Sequence, residues 1–268
     1  MKVYDCFIFN DELEVLEIRL NTLNKYVDKF VIVESKINHQ GGKKKKNFNI
    51  NFFRKFKNKI NYLLIESFPK NFSAWQMENY QRNYISNGLK NCKPEDIIIV
   101  SDADEIPNIN NINLLNLKKK YYVFEQDHFF YKLNLKKKDK WLGSKMCKYK
   151  NFVNPQWLRA LKMHKKYSFW RFDKFFKDNY NSSFEIIKNG GWHFGWLKNV
   201  ENIKLKLESF AHTEHNTNLL KNKNYIAECI KYKTNFLDNT EKFKKVRIDK
   251  RYPDYIRNNI NVFKKWIA

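Results

Sequence analysis

Three acidic residues follow the most apolar run of this sequence, and their spacing suits a metal ion. The run 97–100 leads into Asp102, Asp104 and Glu105 within IIIVSDADEIP. The two aspartates form a D-x-D motif whose carboxylates can both reach one divalent cation, and hard oxygen ligands favour Mg²⁺ or Mn²⁺. Such a cation would bind a diphosphate and neutralise its charge as it leaves. The alternative is a solvated turn that only caps the strand.

The elements that must hold this motif alternate between strand and helix patterns. Strands are predicted over 3–9, 29–35, 60–67 and 96–102, and helices over 11–26 and 73–89. This order is typical of an α/β fold with a mostly parallel central sheet flanked by helices. The unbroken apolar core of the last strand predicts burial on both faces. Ligands of such sheets bind beyond the carboxyl ends of the strands, where the D-x-D motif lies.

The second half of the chain has less regular patterns. The aromatic segment 121–134 predicts a strand, 140–163 predicts strands and loops, and GGWHFGW at 190–196 predicts a loop. A helix is expected to open at 199, and the basic, aromatic stretch 216–268 is expected to be helical. No internal repeat and no linker divides the chain, so a single domain over its 268 residues is predicted.

Charge and composition limit the partners. The chain carries 52 Lys+Arg against 28 Asp+Glu, a formal net charge of +24. Its abundance of Lys, Asn, Ile, Phe and Tyr matches A/T-rich codons, so genome bias explains much of the lysine and a nucleic-acid partner is not favoured. The charge should still attract anions such as nucleotide diphosphates, anionic glycans or acidic lipid surfaces.

Cysteine spacing and hydropathy indicate a reducing compartment. The four cysteines lie far apart without a CxxC pair. There is no signal-peptide pattern, and no apolar run approaches the roughly 18–20 residues of a membrane span. We therefore expect a cytoplasmic protein, in a bacterium or a virus-infected host cell or associated with a virion, with membrane contact that is at most peripheral. The oligomeric state is left open.

The chain resembles glycosyltransferase family 17, the family of the bisecting β-1,4-mannosyl-glycoprotein N-acetylglucosaminyltransferases. The similar blocks span about residues 4 to 210 in order, which is far more specific than D-x-D alone. They are NDELEVLEIRL, VDKFVIVES, ENYQRNYI, DADEIP, GGWHFGW and ENIKLKL. Animal members have a membrane anchor and luminal disulfides. We expect neither in this protein, which therefore resembles the compact bacterial or viral members.

The resemblance implies a single GT-A-type domain over 1–268. Its parts would be a nucleotide-binding half at 1–107, an acceptor half at 108–215 and a helical basic tail at 216–268. It also implies transfer of a sugar, N-acetylglucosamine first of all, from a UDP-sugar to a protein- or lipid-linked glycan. Inversion at the anomeric carbon and a divalent cofactor, Mn²⁺ or Mg²⁺, are implied as well.

The resemblance also implies roles for individual residues. The predicted metal ligands are Asp102, Asp104 and His193, with His212 as a competing third ligand. The predicted donor-binding residues are Asn10, Glu12, Glu34, Arg82, Asp102 and Lys206. Four of them have a structural alternative: helix N-terminal chemistry for Asn10 and Glu12, an ion pair with Arg19 or Lys36 for Glu34, and an ion pair with Glu78 for Arg82.

Acceptor recognition and the chemical step are predicted around GGWHFGW and the helix after it. Trp192 and Trp196 offer ring faces on which a sugar can stack. The predicted catalytic residues are Glu201 as the base, His193 and Asp104, with Asp127 as a second candidate for the base. The alternatives are core tryptophans, a hydrogen-bonded core histidine and a plain acid at a helix start for Glu201.

A second functional class remains open, a non-catalytic basic protein that binds glycans or nucleic acid by aromatic stacking. The D-x-D motif favours the enzyme, because carboxylates repel phosphates unless a metal ion intervenes.

Overall fold

The computed structural model describes residues 1–110, 112–163, 180–181, 184–209 and 213–268. The α-helices are α1 (Leu13–Leu23), α2 (Ala74–Asn83), α3 (Pro155–Ala160), α4 (Val200–Leu207), α5 (Lys223–Tyr232) and α6 (Asp254–Asn258). The 3₁₀ helices are Ile50–Phe56, Tyr84–Gly88, Tyr149–Asn151, Thr213–His215 and Lys264–Trp266. The strands are β1 (Val3–Ile8), β2 (Lys29–Ser35), β3 (Ile60–Ile65), β4 (Ile97–Asp102), β5 (Glu105–Pro107), β6 (Tyr121–Phe130), β7 (Leu135–Lys136), β8 (Trp141–Lys148), β9 (Lys162–Met163), β10 (Tyr180–Asn181), β11 (Phe184–Ile187), β12 (Gly191–Gly195), β13 (Thr234–Asn235), β14 (Asp238–Lys242) and β15 (Lys244–Lys245).

The N-terminal half confirms the predicted alternation of strands and helices. The strands β3, β2, β1 and β4 lie side by side in that order, and all three pairings are parallel. Ile8 at the end of β1 is in register with Asp102 at the end of β4. The carboxyl ends of these strands therefore meet at one edge of the sheet, as predicted for the D-x-D motif.

Beyond β4 the sheet is mixed, so the prediction of a mostly parallel sheet is wrong for this part. β8 runs antiparallel to both β4 and β6, while β6 pairs in parallel with β11 and β12. The reason is the connection: only residues 131–140 join β6 to β8. A connection that short allows an antiparallel pair, whereas a parallel pair needs a longer crossover.

Two local predictions in the second half are also corrected. Residues 155–160 form helix α3 rather than a strand, because the Asn154 side chain accepts from the Trp157 N–H and Pro155 takes the first helical turn. The segment GGWHFGW contains strand β12 rather than a loop, paired with β5 and β6. Gly191 has φ +129°, and a Cβ there would lie 2.1 Å from the Ile106 carbonyl oxygen, so the close approach requires glycine.

The C-terminal stretch is helical only in part. Between α5 and α6 it forms β13, β14 and β15, and β15 pairs with β7 in the central sheet. Its aromatic and aliphatic side chains Tyr252, Ile256, Phe263 and Trp266 pack into the same core as β1 and α1. This stretch is therefore an integral part of the main core.

Among the helices of the described residues, none has the length and apolar composition that crossing a bilayer requires. The four cysteines all lie within the described residues, and none of them forms a disulfide.

A fully buried ion pair joins α1 to β1 inside the main core. Arg19 of α1 donates from Nε and Nη2 to the two carboxylate oxygens of Asp5 of β1, at 2.7 Å and 2.6 Å. Both side chains are inaccessible to solvent. The bidentate geometry satisfies both oxygens of the carboxylate, which is what a buried charge needs to be tolerated.

The same arginine also holds the segment that carries the D-x-D motif. Arg19 Nη1 donates to the carbonyl oxygens of Asp102, Ala103 and Glu105, at 3.0, 3.2 and 2.8 Å. Its Nη2 donates to the Ser101 hydroxyl at 2.5 Å. The backbone from 101 to 105 is thus fixed from beneath by one side chain of α1.

We expect Arg19→Ala to lower the free energy of unfolding by about 3–5 kcal/mol, because it leaves Asp5 charged and buried without its partner. Urea unfolding monitored by circular dichroism measures this. The matched control is Lys36→Ala, which removes an exposed ion pair with Glu66. It should change stability by no more than about 0.5 kcal/mol. Equal losses in the two variants would contradict the central role of the buried pair.

Candidate active site

A cavity of about 240 Å³ opens at the carboxyl edge of β1 and β4. Residues predicted from the sequence meet in its wall although they lie far apart along the chain. They are Asn10, Glu12, Arg82, Asp102, Asp104, His193 and Lys206. The loop before α1, helix α2, the turn after β4, strand β12 and helix α4 supply them.

The first aspartate of the motif is bound by two arginines. Arg82 Nη2 donates to Asp102 Oδ1 at 3.1 Å, and Arg159 Nη2 donates to Asp102 Oδ2 at 2.9 Å. Burial would raise the pKa of Asp102, but the guanidinium groups of Arg159 and Arg82 outweigh burial and hold this pKa far below its ordinary value. Asp102 therefore stays ionised, and each of its oxygens already accepts from a cation.

Arg82 forms the ion pair of its structural alternative and also lines the cavity, while its contact with the donor stays a prediction. It lines the cavity and contacts Asp102, and it also forms the ion pair with Glu78 at 2.7 Å. Its Nη1 donates to Gln156 Oε1 at 2.6 Å, while its Nε is buried without a partner. Arg82 is thus held in place by several contacts and presented to the cavity.

Arg159 was missed by the sequence analysis. Besides Asp102, its Nη2 donates to Glu105 Oε1 at 2.5 Å and its Nη1 donates to the Gly143 carbonyl at 2.8 Å. Burial would lower the pKa of Arg159, but Asp102 and Glu105 raise it above its ordinary value. No spacing in the sequence links this arginine to the motif. The contact exists because α3 packs against β4 and β8.

The second aspartate has a different environment. Asp104 Oδ1 lies 3.6 Å from His193 Nε2. Burial would raise the pKa of Asp104, but His193 and Lys206 overcome this and lower it to about 2. The imidazole of His193 stacks on that of His128 with centroids 4.4 Å apart, and its Nδ1 is buried without a partner.

These side chains fit a metal ion in part. Over the described ranges, no group of three or more histidine, cysteine, aspartate or glutamate side chains forms a ready-made metal site. Asp104 and His193 do offer a carboxylate and an imidazole to the same cavity, whereas both Asp102 oxygens are bonded to arginines. The competing ligand His212 lies outside the described residues. The metal site stays a prediction, with Asp104 and His193 as its best-placed members.

Glu12 and Lys206 form a second charged pair in the wall. Lys206 Nζ lies 3.5 Å from Glu12 Oε1, and Glu12 Oε2 accepts from the backbone N–H groups of Asn10 and Asp11. Burial would raise the pKa of Glu12, but Lys206 and Lys198 lower it. Both the site prediction and the helix-start alternative are consistent with these contacts.

Glu34 does not line the cavity and is fully buried. Its oxygens accept from Lys44 Nζ, the backbone N–H groups of Asn47 and Phe48, and the Tyr62 hydroxyl. The alternative ion pair with Arg19 or Lys36 is wrong, since those residues pair with Asp5 and Glu66. Direct contact between Glu34 and the donor stays a prediction; what the contacts show is that Glu34 holds the segment 44–48, whose Lys44 does line the cavity.

Neither predicted acceptor platform lines the cavity. Trp192 is 7% exposed within the main core, and its indole N–H donates to the Arg251 carbonyl. This favours the core alternative, because stacking needs an open ring face. Trp196, at φ +56°, packs edge-on against Phe236 at 4.9 Å and lies 5.1 Å from Lys206 Nζ.

The predicted catalytic bases also lie outside the cavity. Glu201 is 53% exposed in the first turn of α4 and forms an ion pair with Lys223 of α5 at 2.5 Å. Asp127 pairs with Lys136 and Lys140 on a different surface. The base stays a prediction, and the geometry favours the helix-start alternative for Glu201.

Comparison with known proteins agrees with the family resemblance. The sequence model described as Glycosyltransferase family 17 matches residues 1–244. Beta-1,4-mannosyl-glycoprotein 4-beta-N-acetylglucosaminyltransferase of Rattus norvegicus is 28% identical over 126 residues, which cover 43% of this chain and 23% of the rat protein. The Homo sapiens protein of that name is also 28% identical over 126 residues, covering 43% of this chain and 24% of the human protein. The matched part of this chain thus spans about a quarter of the length of these relatives.

The lowered pKa of Asp104 predicts a specific loss of stability in acid. The Asp104 carboxyl has a pKa of about 2 in the folded state, against its ordinary value of 3.8 in the unfolded chain. The folded state therefore holds this proton less tightly. The contribution of Asp104, on the order of 2 kcal/mol, is therefore complete above about pH 4 and disappears as the pH falls towards 2.

Urea unfolding in EDTA from pH 6 to pH 2 tests this. Wild type should exceed Asp104→Asn in stability near neutral pH, and the two curves should converge in acid. Asp254→Asn, which changes an exposed carboxylate of α6, is the control and should run parallel to wild type. A constant gap between wild type and Asp104→Asn at every pH would contradict the prediction.

Proposed function

This chain belongs to glycosyltransferase family 17, and on that basis we propose that it is a metal-dependent, inverting enzyme of the GT-A type. It would transfer a sugar, N-acetylglucosamine first of all, from a UDP-sugar to a glycan acceptor. The observation that carries the proposal is the meeting of Asp104, His193, Arg82 and Lys206 in one cavity at the carboxyl edge of the parallel strands.

The cavity has the charges that a nucleotide diphosphate needs. Lys44, Arg82 and Lys206 present three cations to it. Arg82 is planar and already oriented, so its guanidinium suits bidentate contact with a phosphate. Lys206 is a point charge near Asp104 and Glu12, and these acids raise its pKa although burial alone would lower it. Both residues would bind the diphosphate and stabilise it as the leaving group.

Asp104 and His193 would hold the divalent cation, Mn²⁺ or Mg²⁺, which when bound would neutralise the diphosphate charge during transfer. The end of the cavity at β1 and β2 has a different lining, with Phe9, Ile37 and Asn10. An apolar wall with a nearby amide suits the uracil ring and its polar edge. The nucleotide would therefore lie above β1 and β2, and the sugar would point towards β8 and β12.

In the proposed reaction, an acceptor hydroxyl oxygen attacks the anomeric carbon as the bond from that carbon to the UDP oxygen breaks. The hydroxyl proton passes to a base, and UDP leaves as the anion that the cations of the cavity bind. Attack from the face opposite the leaving group inverts the anomeric centre.

The four thiols are consistent with a reducing, cytoplasmic location. The competing proposal, a non-catalytic basic binding protein, receives less support from the cavity. Asp102, Asp104 and Glu12 place three carboxylates where a phosphate or an anionic glycan would have to bind.

We expect UDP to bind this protein markedly more tightly in Mn²⁺ than in EDTA when binding is measured by calorimetry. Asp104→Asn and His193→Ala should each reduce the Mn²⁺ effect about tenfold or more, because each removes a proposed metal ligand. Asp127→Asn is the matched control, since that carboxylate is also paired with two cations but lies outside the cavity. UDP affinity that is identical with and without metal would refute the metal-dependent proposal. Turnover of GDP-mannose alone would refute the assignment of the donor.

Glu201→Gln tests the predicted base. Because Glu201 is exposed and paired with Lys223, we expect kcat for UDP release to stay within about twofold of wild type, whereas loss of a general base lowers kcat by about 10²–10⁴-fold. A drop of that larger size, with unchanged UDP affinity, would identify Glu201 as the base after all.

A further inference from the structure

Trp141 is an open aromatic side chain in the wall of the cavity. It begins β8, is 37% exposed, and lines the cavity together with Asp104 and His193. Across the described part of the chain, it is the one tryptophan in this wall. Nothing in KWLGSKM distinguishes it from an ordinary strand residue, so the sequence predicts no role for it.

The ring of Trp141 is held in a fixed orientation. Its Nε1–H donates to Glu105 Oε1 at 2.6 Å, and Glu105 is itself buried and bound by Arg159 at 2.5 Å. A Cβ on Gly143 would lie 2.3 Å from Gln126 Oε1, 2.7 Å from Trp141 Cδ1 and 3.0 Å from Glu105 Cδ. Glycine at 143 therefore leaves the space that this indole and its carboxylate partner occupy.

The ring of Trp141 lies beside the proposed metal ligands. Its centroid lies 4.9 Å from the ring of His193, whose Nε2 is 3.6 Å from Asp104. Because β8, β4, β1 and β2 lie in that order in the sheet, Trp141 of β8 and Ile37 after β2 line the cavity from opposite sides of β4 and β1.

We propose that Trp141 is the stacking platform for a pyranose ring of the substrate. The apolar C–H face of a pyranose packs on an indole, while neighbouring polar groups such as Asp104 can reach its hydroxyls. Since Glu105 and Gly143 fix the indole in advance, little side-chain entropy is lost when the sugar binds. This inference rests on the proposed function and locates the sugar-binding end of the same site.

The pyranose could belong to the donor or to the acceptor, and binding measurements distinguish the two. The variants are Trp141→Ala, Trp141→Phe and Gly143→Ala, and the control is Trp75→Ala, which removes an exposed tryptophan of α2 outside the cavity. The probes are UDP and UDP-N-acetylglucosamine in Mn²⁺, and N-acetylglucosamine and its β-1,4-linked disaccharide without nucleotide. Melting temperatures identify any variant that is simply unfolded.

We expect Trp141→Ala to weaken a sugar-containing probe about tenfold and to leave UDP affinity unchanged, because stacking on the ring is lost and the diphosphate contacts are not. A loss confined to UDP-N-acetylglucosamine identifies the donor sugar, and a loss confined to the free saccharides identifies the acceptor. Trp141→Phe should give a smaller loss because it keeps an apolar ring without the bond to Glu105. Gly143→Ala should also weaken the sugar probe, because its Cβ would displace the Trp141 ring together with the buried Gln126 side chain.

Equal weakening of UDP and of the sugar probes would show a structural role and overturn the platform. Unchanged sugar binding in Trp141→Ala would also overturn it. So would a wild-type protein that binds none of the sugar-containing probes. Failure of wild type to bind UDP in Mn²⁺ would instead overturn the proposed function, and the free saccharides would then still decide whether Trp141 binds a sugar.

Discussion

The site depends on one buried guanidinium. Arg19 reaches from α1 beneath the sheet edge, neutralises Asp5 of β1, and donates to three backbone carbonyls of the segment that carries the two aspartates. Carbonyls at a turn have few partners of their own, and buried ones need hydrogen bonds. A single side chain therefore fixes both the strand and the turn, so the carboxylates above it are presented by a rigid backbone.

Most charged side chains above this turn have a polar or oppositely charged partner, although the chain as a whole carries a formal net charge of +24. Arg82 and Arg159 surround Asp102, His193 faces Asp104, and Lys206 faces Glu12. Pairing of this kind lets several ionised groups occupy one partly buried cavity without repelling each other. It also means that an incoming phosphate must compete with a carboxylate for each arginine, so a ligand would be selected by shape and by charge together.

The sequence predicted best what local pattern determines. The N-terminal strands and helices follow from their hydrophobic periodicity, and the position of Asp102 and Asp104 follows from the rule for carboxyl ends of parallel strands. Contacts between distant segments could not be predicted: Arg159 lies 57 residues from Asp102 and meets it only because α3 packs beside β4. Likewise, GGWHFGW looked like a loop because it has three glycines, whereas two of them, Gly190 and Gly191, let the backbone approach its neighbours closely. Trp192 was predicted in the site because it is next to His193 in the sequence. Successive residues of a strand point to opposite faces of the sheet, so the two side chains do not reach the same surface.

That alternation explains how β12 contributes to two surfaces. His193 is in register with His128 of β6, and the two imidazoles stack on the cavity side. Trp192 is in register with Asp127, and both face the other side, towards Arg251 and Tyr252. One strand thus closes the core with its tryptophan and presents its histidine to Asp104. The backbone pairing of β12 with β5 and β6 sets the register of this strand. A shift of one residue would exchange its two faces, so this register also decides which of the two side chains reaches the cavity.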